Sequence, residues 1–288
     1  VHDVVIDNVD GSHVVFITRS IGSPPALIEH ARQQQDSRLQ KTSFTDTAWN
    51  RGLADTQHLY RSFWGATSGD FNNDGLNDLF IASGTLHPDM SSPFVTQGQH
   101  NWLFLKDKQG QYLSLPQQQE AAATSTSRSV VKVDLDNDGR LELIVGNNNN
   151  PMQILANTVP SSQHWIGLDL LSTNAFTAVE GAEIEVITEH QTIRRRAVIP
   201  TGFLSQSDAR VHIGLGANEQ IKSLNITWPD GTLSRFTAPP VGRYLIIDKS
   251  QNHWMASPTP DDELIAFRRA VERLDSDAKQ YLSLALVR

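Results

Sequence analysis

Apolar and polar residues alternate through much of this chain. In HWIGLDLL, Ile166, Leu168 and Leu170 fall on one face; AEIEVITE repeats this with Ile184 and Val186, and KSLNITW with Leu224, Ile226 and Trp228. Strand side chains point to opposite sides of a sheet in turn, so a period of two predicts half-buried strands. A PDG turn at Pro229 to Gly231 then leads into TLSRFT. LFIA from Leu79 and LIVG from Leu143 are apolar at every position and look like short buried strands, while NWLFLKDKQGQYLSL, Asn101 to Leu115, reads as a hairpin with a Gly turn. Two stretches look helical instead. SPPALIEHARQQQDSRLQ, between Ile21 and Gln40, pairs prolines with helix formers and predicts a short helix inserted between strands. Near the C-terminus, Leu264, Phe267, Val271, Leu274, Ala278, Tyr281 and Ala285 recur at steps of three and four, behind Thr259 as a cap and Pro260 in the first turn. Asp275, Ser276 and Asp277 can divide that helix, and its apolar seam is expected to pack on the chain's own β domain or on a partner.

Two acidic loops run straight into the apolar strands. The first, GDFNNDGLNDLFIAS, places Asp70, Asn72 and Asp74 at alternate positions, Gly75 at a sharp bend, the carbonyl of Leu76 next, and Asp78 last. The second, VDLDNDGRLELIVGN, repeats this with Asp134, Asp136, Asp138, Gly139, the carbonyl of Arg140, and Glu142. Hard oxygen donors at this spacing suit Ca²⁺, so two Ca²⁺ sites are expected. An EF-hand needs a bidentate Glu at the twelfth loop position, where this chain has Ile81 and Val145, so these are not EF-hands. A single DNDG would read as ordinary turn chemistry. Two copies, each closed by a further carboxylate and each entering a strand, argue for a ligand set. The offset between Asp70 and Asp134 is 64 residues, a length that suits a four-stranded propeller blade with a loop insertion. VVIDNVDGSHVVFITR opens the chain as a degraded third copy, in which the first and last ligand positions fall on Ile6 and Val14; it is expected to bind nothing.

The formal charge of −8 argues against nucleic acid or an anionic membrane as main partner. No apolar run approaches the roughly 20 residues that span a bilayer as a helix, so the chain is not expected to be membrane-embedded. The absence of cysteine excludes disulfides, thiol catalysis and thiolate metal sites. The chain begins at Val1, which suggests a processed or truncated product. Oxygen-only Ca²⁺ loops suit millimolar extracellular calcium, so the expected location is secreted, extracellular or periplasmic.

Among other candidates, Arg194, Arg195 and Arg196 form the only basic run, able to grip a carboxylate or sulfated glycan but more simply read as a solvated strand face. His212 in VHIGLG reads as a packing residue, and Asn225, Ile226 and Thr227 spell a glycosylation acceptor buried in a strand. No HExxH pair, GxSxG elbow or Gly-rich phosphate loop is present, so no catalytic or cofactor residues are nominated.

Together with the two acidic loops, the segments VEGAEIEVI, IPTGFLSQSDARVHIGLG and ITWPDG, in that order, resemble the FG-GAP or VCBS repeat proteins that end in an ASPIC/UnbV domain. The resemblance implies an all-β chain: a partial β-propeller of two or three blades over residues 1–160 and a small sandwich-like or barrel-like ASPIC/UnbV domain over 161–250, to which the C-terminal seam described above adds a helical tail over 251–288. It implies an exported, non-enzymatic Ca²⁺-binding scaffold or adhesion module that binds a protein or glycan at the cell surface. A whole propeller of this kind has about seven blades, so the missing ones are expected upstream or in another chain. Two rival readings stay open: a subunit of an extracellular assembly, and a polysaccharide-active enzyme.

Overall fold

The computed structural model describes residues 2–9, 12–20, 22–31, 43–85, 98–115, 126–158, 163–172, 179–257 and 281–282. Among the described residues, five four-stranded sheets carry the fold, with one 3-10 turn at Gln57–Tyr60. The first sheet is an antiparallel meander of β1 (Val4–Val9), β2 (Ser12–Ile17), β3 (Ala26–Ala31) and β4 (Ser43–Asp46). The second repeats that order with β5 (Phe63–Gly69), β6 (Asp78–Ser83), β7 (Trp102–Lys106) and β8 (Tyr112–Ser114). The third has β9 (Ser127–Val133), β10 (Glu142–Asn147) and β11 (Gln153–Asn157).

These are propeller blades stacked face on face. Leu79 and Ile81 of β6 meet Val14, Phe16 and Leu27 of the first blade, while Phe80, pointing the other way, meets Val130, Leu143 and Val145 of the third. That explains why LFIA is apolar throughout: every residue of β6 is buried because both sheet faces are covered. The first strands of the blades, β1, β5 and β9, lie side by side in an arc.

β12 (His164–Leu171), β17 (Val211–Gly216), β20 (Tyr244–Asp248) and β21 (His253–Ala256) form a fourth sheet. β13 (Glu183–Ile187), β14 (Thr192–Arg196), β18 (Ser223–Thr227) and β19 (Leu233–Thr237) form a fifth. Unlike the blades, these two share one core. Ile166, Leu168, Ile213, Leu215, Leu245 and Ile247 of one sheet face Ile184, Val186, Leu224, Ile226 and Phe236 of the other, so the pair is a β-sandwich. The alternating residues of HWIGLDLL, AEIEVITE and KSLNITW are its core side, and Gly231, at φ 82°, makes the turn after Trp228.

A two-stranded hairpin, β15 (Thr201–Gly202) and β16 (Ser205–Gln206), reaches from the sandwich to the inner strands of the blades. Asp3 holds it there: one carboxylate oxygen accepts the N–H of Ala66 on β5 at 2.9 Å and that of Phe203 at the hairpin tip at 3.0 Å. Ser205 donates to the carbonyl of Val130 at 3.0 Å, and Ser207 accepts the N–H of Lys132 at 3.0 Å.

The helix expected between Ile21 and Gln40 is corrected in part: residues 26–31 are strand β3, hydrogen-bonded to β2 and β4. Leu27 packs opposite Phe16 in the inter-blade core, and pairing on both edges outweighs the local helix preference of ALIEHA. Residues 32–40 lie outside the described residues. So does the predicted C-terminal helix, except that Tyr281–Leu282 (β22) pairs parallel with β11 as the outer strand of the third blade.

Candidate metal centres

Both acidic loops join the first strand of a blade to the second. Asp70 follows β5 directly and Asp78 opens β6; Asp134 follows β9 and Glu142 opens β10. Each loop is wound by its own side chains, and the backbone N–H bonds that wind the two loops correspond one to one. The N–H of Asp74 donates to Asp70 Oδ1 at 3.0 Å and that of Gly75 to Asp70 Oδ2 at 2.9 Å. Their counterparts, Asp138 and Gly139, donate to the two oxygens of Asp134 at 3.1 and 2.8 Å. Asn72 Oδ1 accepts from Asp74 as Asp136 Oδ1 does from Asp138, at 3.1 and 3.3 Å. Leu76 donates to Asp74 as Arg140 does to Asp138, at 2.8 and 2.9 Å. The closing carboxylates return to the loop start, Asp78 to the N–H of Phe71 at 3.0 Å and Glu142 to that of Leu135 at 3.1 Å. Asn73 and Asn137 stand in the left-handed region at φ 58° and 56°, and Gly75 and Gly139 follow at 93° and 83°. Asparagine and glycine are the residues that tolerate this backbone.

The donor chemistry fits a hard divalent cation. Carboxylate oxygens of Asp134, Asp136 and Asp138 lie within 4.8 Å of one another; in the first loop the middle position is the neutral Asn72. Asp70, Asp78 and Asp134 are each 1% exposed. Burial pushes the Asp70 carboxyl up to about 7, helped by repulsion from Asp74, and pushes Asp78 well above the usual range, helped by Asp70. Burial likewise lifts Asp134 to about 7 and Glu142 to about 8, with neighbouring loop carboxylates adding to both shifts. Crowded, buried acids of this kind are further stabilised in their charged form by a cation at their centre.

The sandwich grips both loops, a feature the sequence reading did not anticipate. Arg195, with a side chain only 12% exposed, lies 4.0 Å from Asp70 and donates to the carbonyl of Gly75 at 2.8 Å. The solvated-face reading of the basic run therefore holds for Arg194 and Arg196 but fails for Arg195, because alternation along β14 turns the middle residue inward. Gly214 on β17 donates to Asp70 Oδ2 at 3.0 Å. Arg210 stacks over Tyr244 with its charge 4.0 Å from the ring centroid, and donates to Asn137 Oδ1 and to the carbonyl of Asp134. The side chain of Arg140 pairs with Asp138.

His212 packs, as expected, stacked on Trp165, but it also meets Asn73 Oδ1 through Nε2 at 2.6 Å. Burial holds its imidazole down to about 3, and the charges of Lys132, Arg195 and Arg210 act in the same direction. Below its ordinary value of 6.5 the unfolded chain takes the proton and the folded one does not, so this group contributes stability that is lost as pH falls from 6.5 towards 3. The His212 ring resonances should accordingly not titrate by NMR between pH 7 and 5. A midpoint near 6.5 would contradict this burial.

Asn73 and Asn137 are the loop residues missed from sequence. Their signal was present: both stand at the same point of loops 64 residues apart, yet neither offers a ligand at an alternate position.

Comparison with known proteins agrees with this architecture. An FG-GAP-like repeat matches residues 70–145, which contain both loops, and the ASPIC and UnbV family matches residues 172–253 in the sandwich. Mouse (Mus musculus) Cartilage acidic protein 1 is 29% identical over 108 residues, which cover 36% of this chain and 16% of the mouse protein. The chain thus matches only a small part of that relative's length. No helix among the described residues is long and apolar enough to cross a membrane. In sequence the chain is thus similar to an FG-GAP-like repeat over residues 70–145 and, after it, to the ASPIC and UnbV family over residues 172–253.

Proposed function

We propose that this chain is an exported, non-enzymatic scaffold whose two acidic loops each hold one structural Ca²⁺, and whose blades bind a protein or glycan at the cell surface. The observation that carries the metal reading is the duplication of the loop hydrogen bonds around buried carboxylates. Asp70, Asp74, Asp78, Asn72 and the Leu76 carbonyl would hold the first ion. Asp134, Asp136, Asp138, Glu142 and the Arg140 carbonyl would hold the second. The ion supplies fixed positive charge, and the chain supplies the rest: blade strands set the loop ends, and the positive-φ residues turn the carboxylates inward. The extracellular part of the proposal draws support from the likeness to Cartilage acidic protein 1.

Four carboxylates against three favour the second site, although Arg140 must leave Asp138 to make room. Asp138→Ala should therefore remove more of the Ca²⁺-induced rise in melting temperature than Asp74→Ala. Scanning calorimetry with and without Ca²⁺ checks this, and equal or reversed losses would refute the ranking. A rise unchanged in both variants would remove the loops as the binding sites.

A second reading, a subunit of an extracellular assembly, is favoured by the arc of three blades. Pairing of β22 with β11 supplies the fourth strand of the third blade, whereas among the described residues the first blade shares a core with the second blade through Val14, Phe16 and Leu27. A monomeric native mass would remove this reading.

A further inference from the structure

Asn73 offers nothing to a cation, yet it joins both loops to the sandwich. It is 4% exposed. Its side-chain amide donates to the carbonyl of Gly139 in the second loop at 2.8 Å, while its Oδ1 accepts from His212 at 2.6 Å. Since the amide nitrogen is committed to Gly139, Nε2 must be the protonated nitrogen of His212. The Asn73 backbone carbonyl takes the N–H of Gly216, at the end of β17, at 2.8 Å. His212 stacks on Trp165 with centroids 5.4 Å apart, and the Trp165 ring lies so close over Gly139 that a Cβ built there would fall 1.9 Å from it. Asn73, Gly139, Trp165 and His212 thus close a circuit through the first loop, the second loop, β12 and β17.

Two joints of that circuit, Asn73 and Gly139, adjoin candidate ligands. Asn73 sits between Asn72 and Asp74; Gly139 precedes Arg140 and hydrogen-bonds Asp134. The counterpart Asn137 reaches the sandwich alone, through Arg210. Two buried asparagines bridge the loops: Asn157, whose amide donates to the carbonyls of Phe71 and Leu141 at 2.7 and 3.3 Å, and Asn73, which carries the link on to His212. We propose that Asn73 couples the two cation sites, so that filling either loop raises the affinity of the other and tightens the sandwich on the blades. This rests on the metal reading given above. A cation that fixes residues 70–78 fixes Asn73, and through it the Gly139 peptide, so the second loop has less ordering left to do when its own ion arrives. Coupling of this kind is reciprocal.

Asn73→Gly keeps the left-handed backbone and deletes both side-chain bonds. Calorimetric titration of Ca²⁺ into the EGTA-stripped full chain, wild type and variant, reads the stepwise constants, while hydrogen exchange reads residues 211–216. In the wild type the second ion should bind at least about fivefold tighter than independent sites allow, and Ca²⁺ should slow exchange in β17. In Asn73→Gly two ions should still bind, with the coupling and the β17 response both clearly reduced, the Gly214–Asp70 and Gly216–Asn73 backbone bonds remaining. His212→Leu keeps the Asn73–Gly139 bond and deletes only the sandwich joint, so it should weaken the β17 response more than the coupling between ions, and it tests that half of the circuit if the first variant fails to fold. Two ions bound with the same stepwise constants in wild type and variant would overturn the coupling and leave the metal reading standing. No uptake by the wild type would overturn both.

Discussion

Gly139→Ala should destabilise the chain more than alanine at any other positive-φ glycine of the acidic loops. Two costs add at this position. The backbone sits at φ 83°, where an L side chain costs about 1–2 kcal/mol. The new methyl would also be driven into the Trp165 ring, at 1.9 to 2.3 Å from its atoms, and overpacking of that kind costs about 1–3 kcal/mol more. Gly231 gives the control: φ is 82°, but nothing lies within 4 Å of its would-be Cβ. Gly75 is intermediate, with its nearest neighbours at 3.4 Å. Urea midpoints followed by tryptophan fluorescence should rank Gly139→Ala well below Gly75→Ala and Gly231→Ala. If Gly139→Ala matches Gly231→Ala, the close seating of Trp165 on the second loop is wrong.

Chelation is the second large effect. Each ion bound to the folded chain and not to the unfolded one, at 100-fold saturation, adds about 2.7 kcal/mol. Two such ions approach about 5 kcal/mol, and for a chain of this size each kcal/mol moves the melting temperature by about 2–4 °C. EGTA should therefore lower the melting temperature by about 10 °C or more. Because Arg195, Arg210 and Gly214 tie the loops to the sandwich, the fall should show in sandwich signals such as Trp228 as well as in the blades. Melting unchanged by EGTA would contradict a structural role for the ions.

What the sequence disclosed and what it hid divide along physical lines. Period-two patterns identified the sandwich strands because each has one face on a single core, as Ile166 and Leu168 or Leu224 and Ile226 do. The loops were legible because their candidate ligands are local, within nine residues from Asp70 to Asp78 and again from Asp134 to Glu142. Strand β3 was misread as helix because pairing with β2 and β4 is non-local and leaves no mark on ALIEHA itself. The grip of the sandwich on the loops was hidden for the same reason: Arg195 and Asp70 are 125 positions apart in the chain. An inward arginine and an outward one look alike until the strand's partner face is known. Asn73 escaped notice because its role is to bridge two loops, and bridging appears only when the blades are placed side by side.

The most direct test is calorimetric titration of Ca²⁺ into the EGTA-stripped chain, alongside a variant carrying Asp70→Asn and Asp134→Asn. The account predicts two ions taken up per wild-type chain and strongly reduced uptake in the double variant. No uptake by the wild type, or uptake that survives both substitutions unchanged, would contradict it.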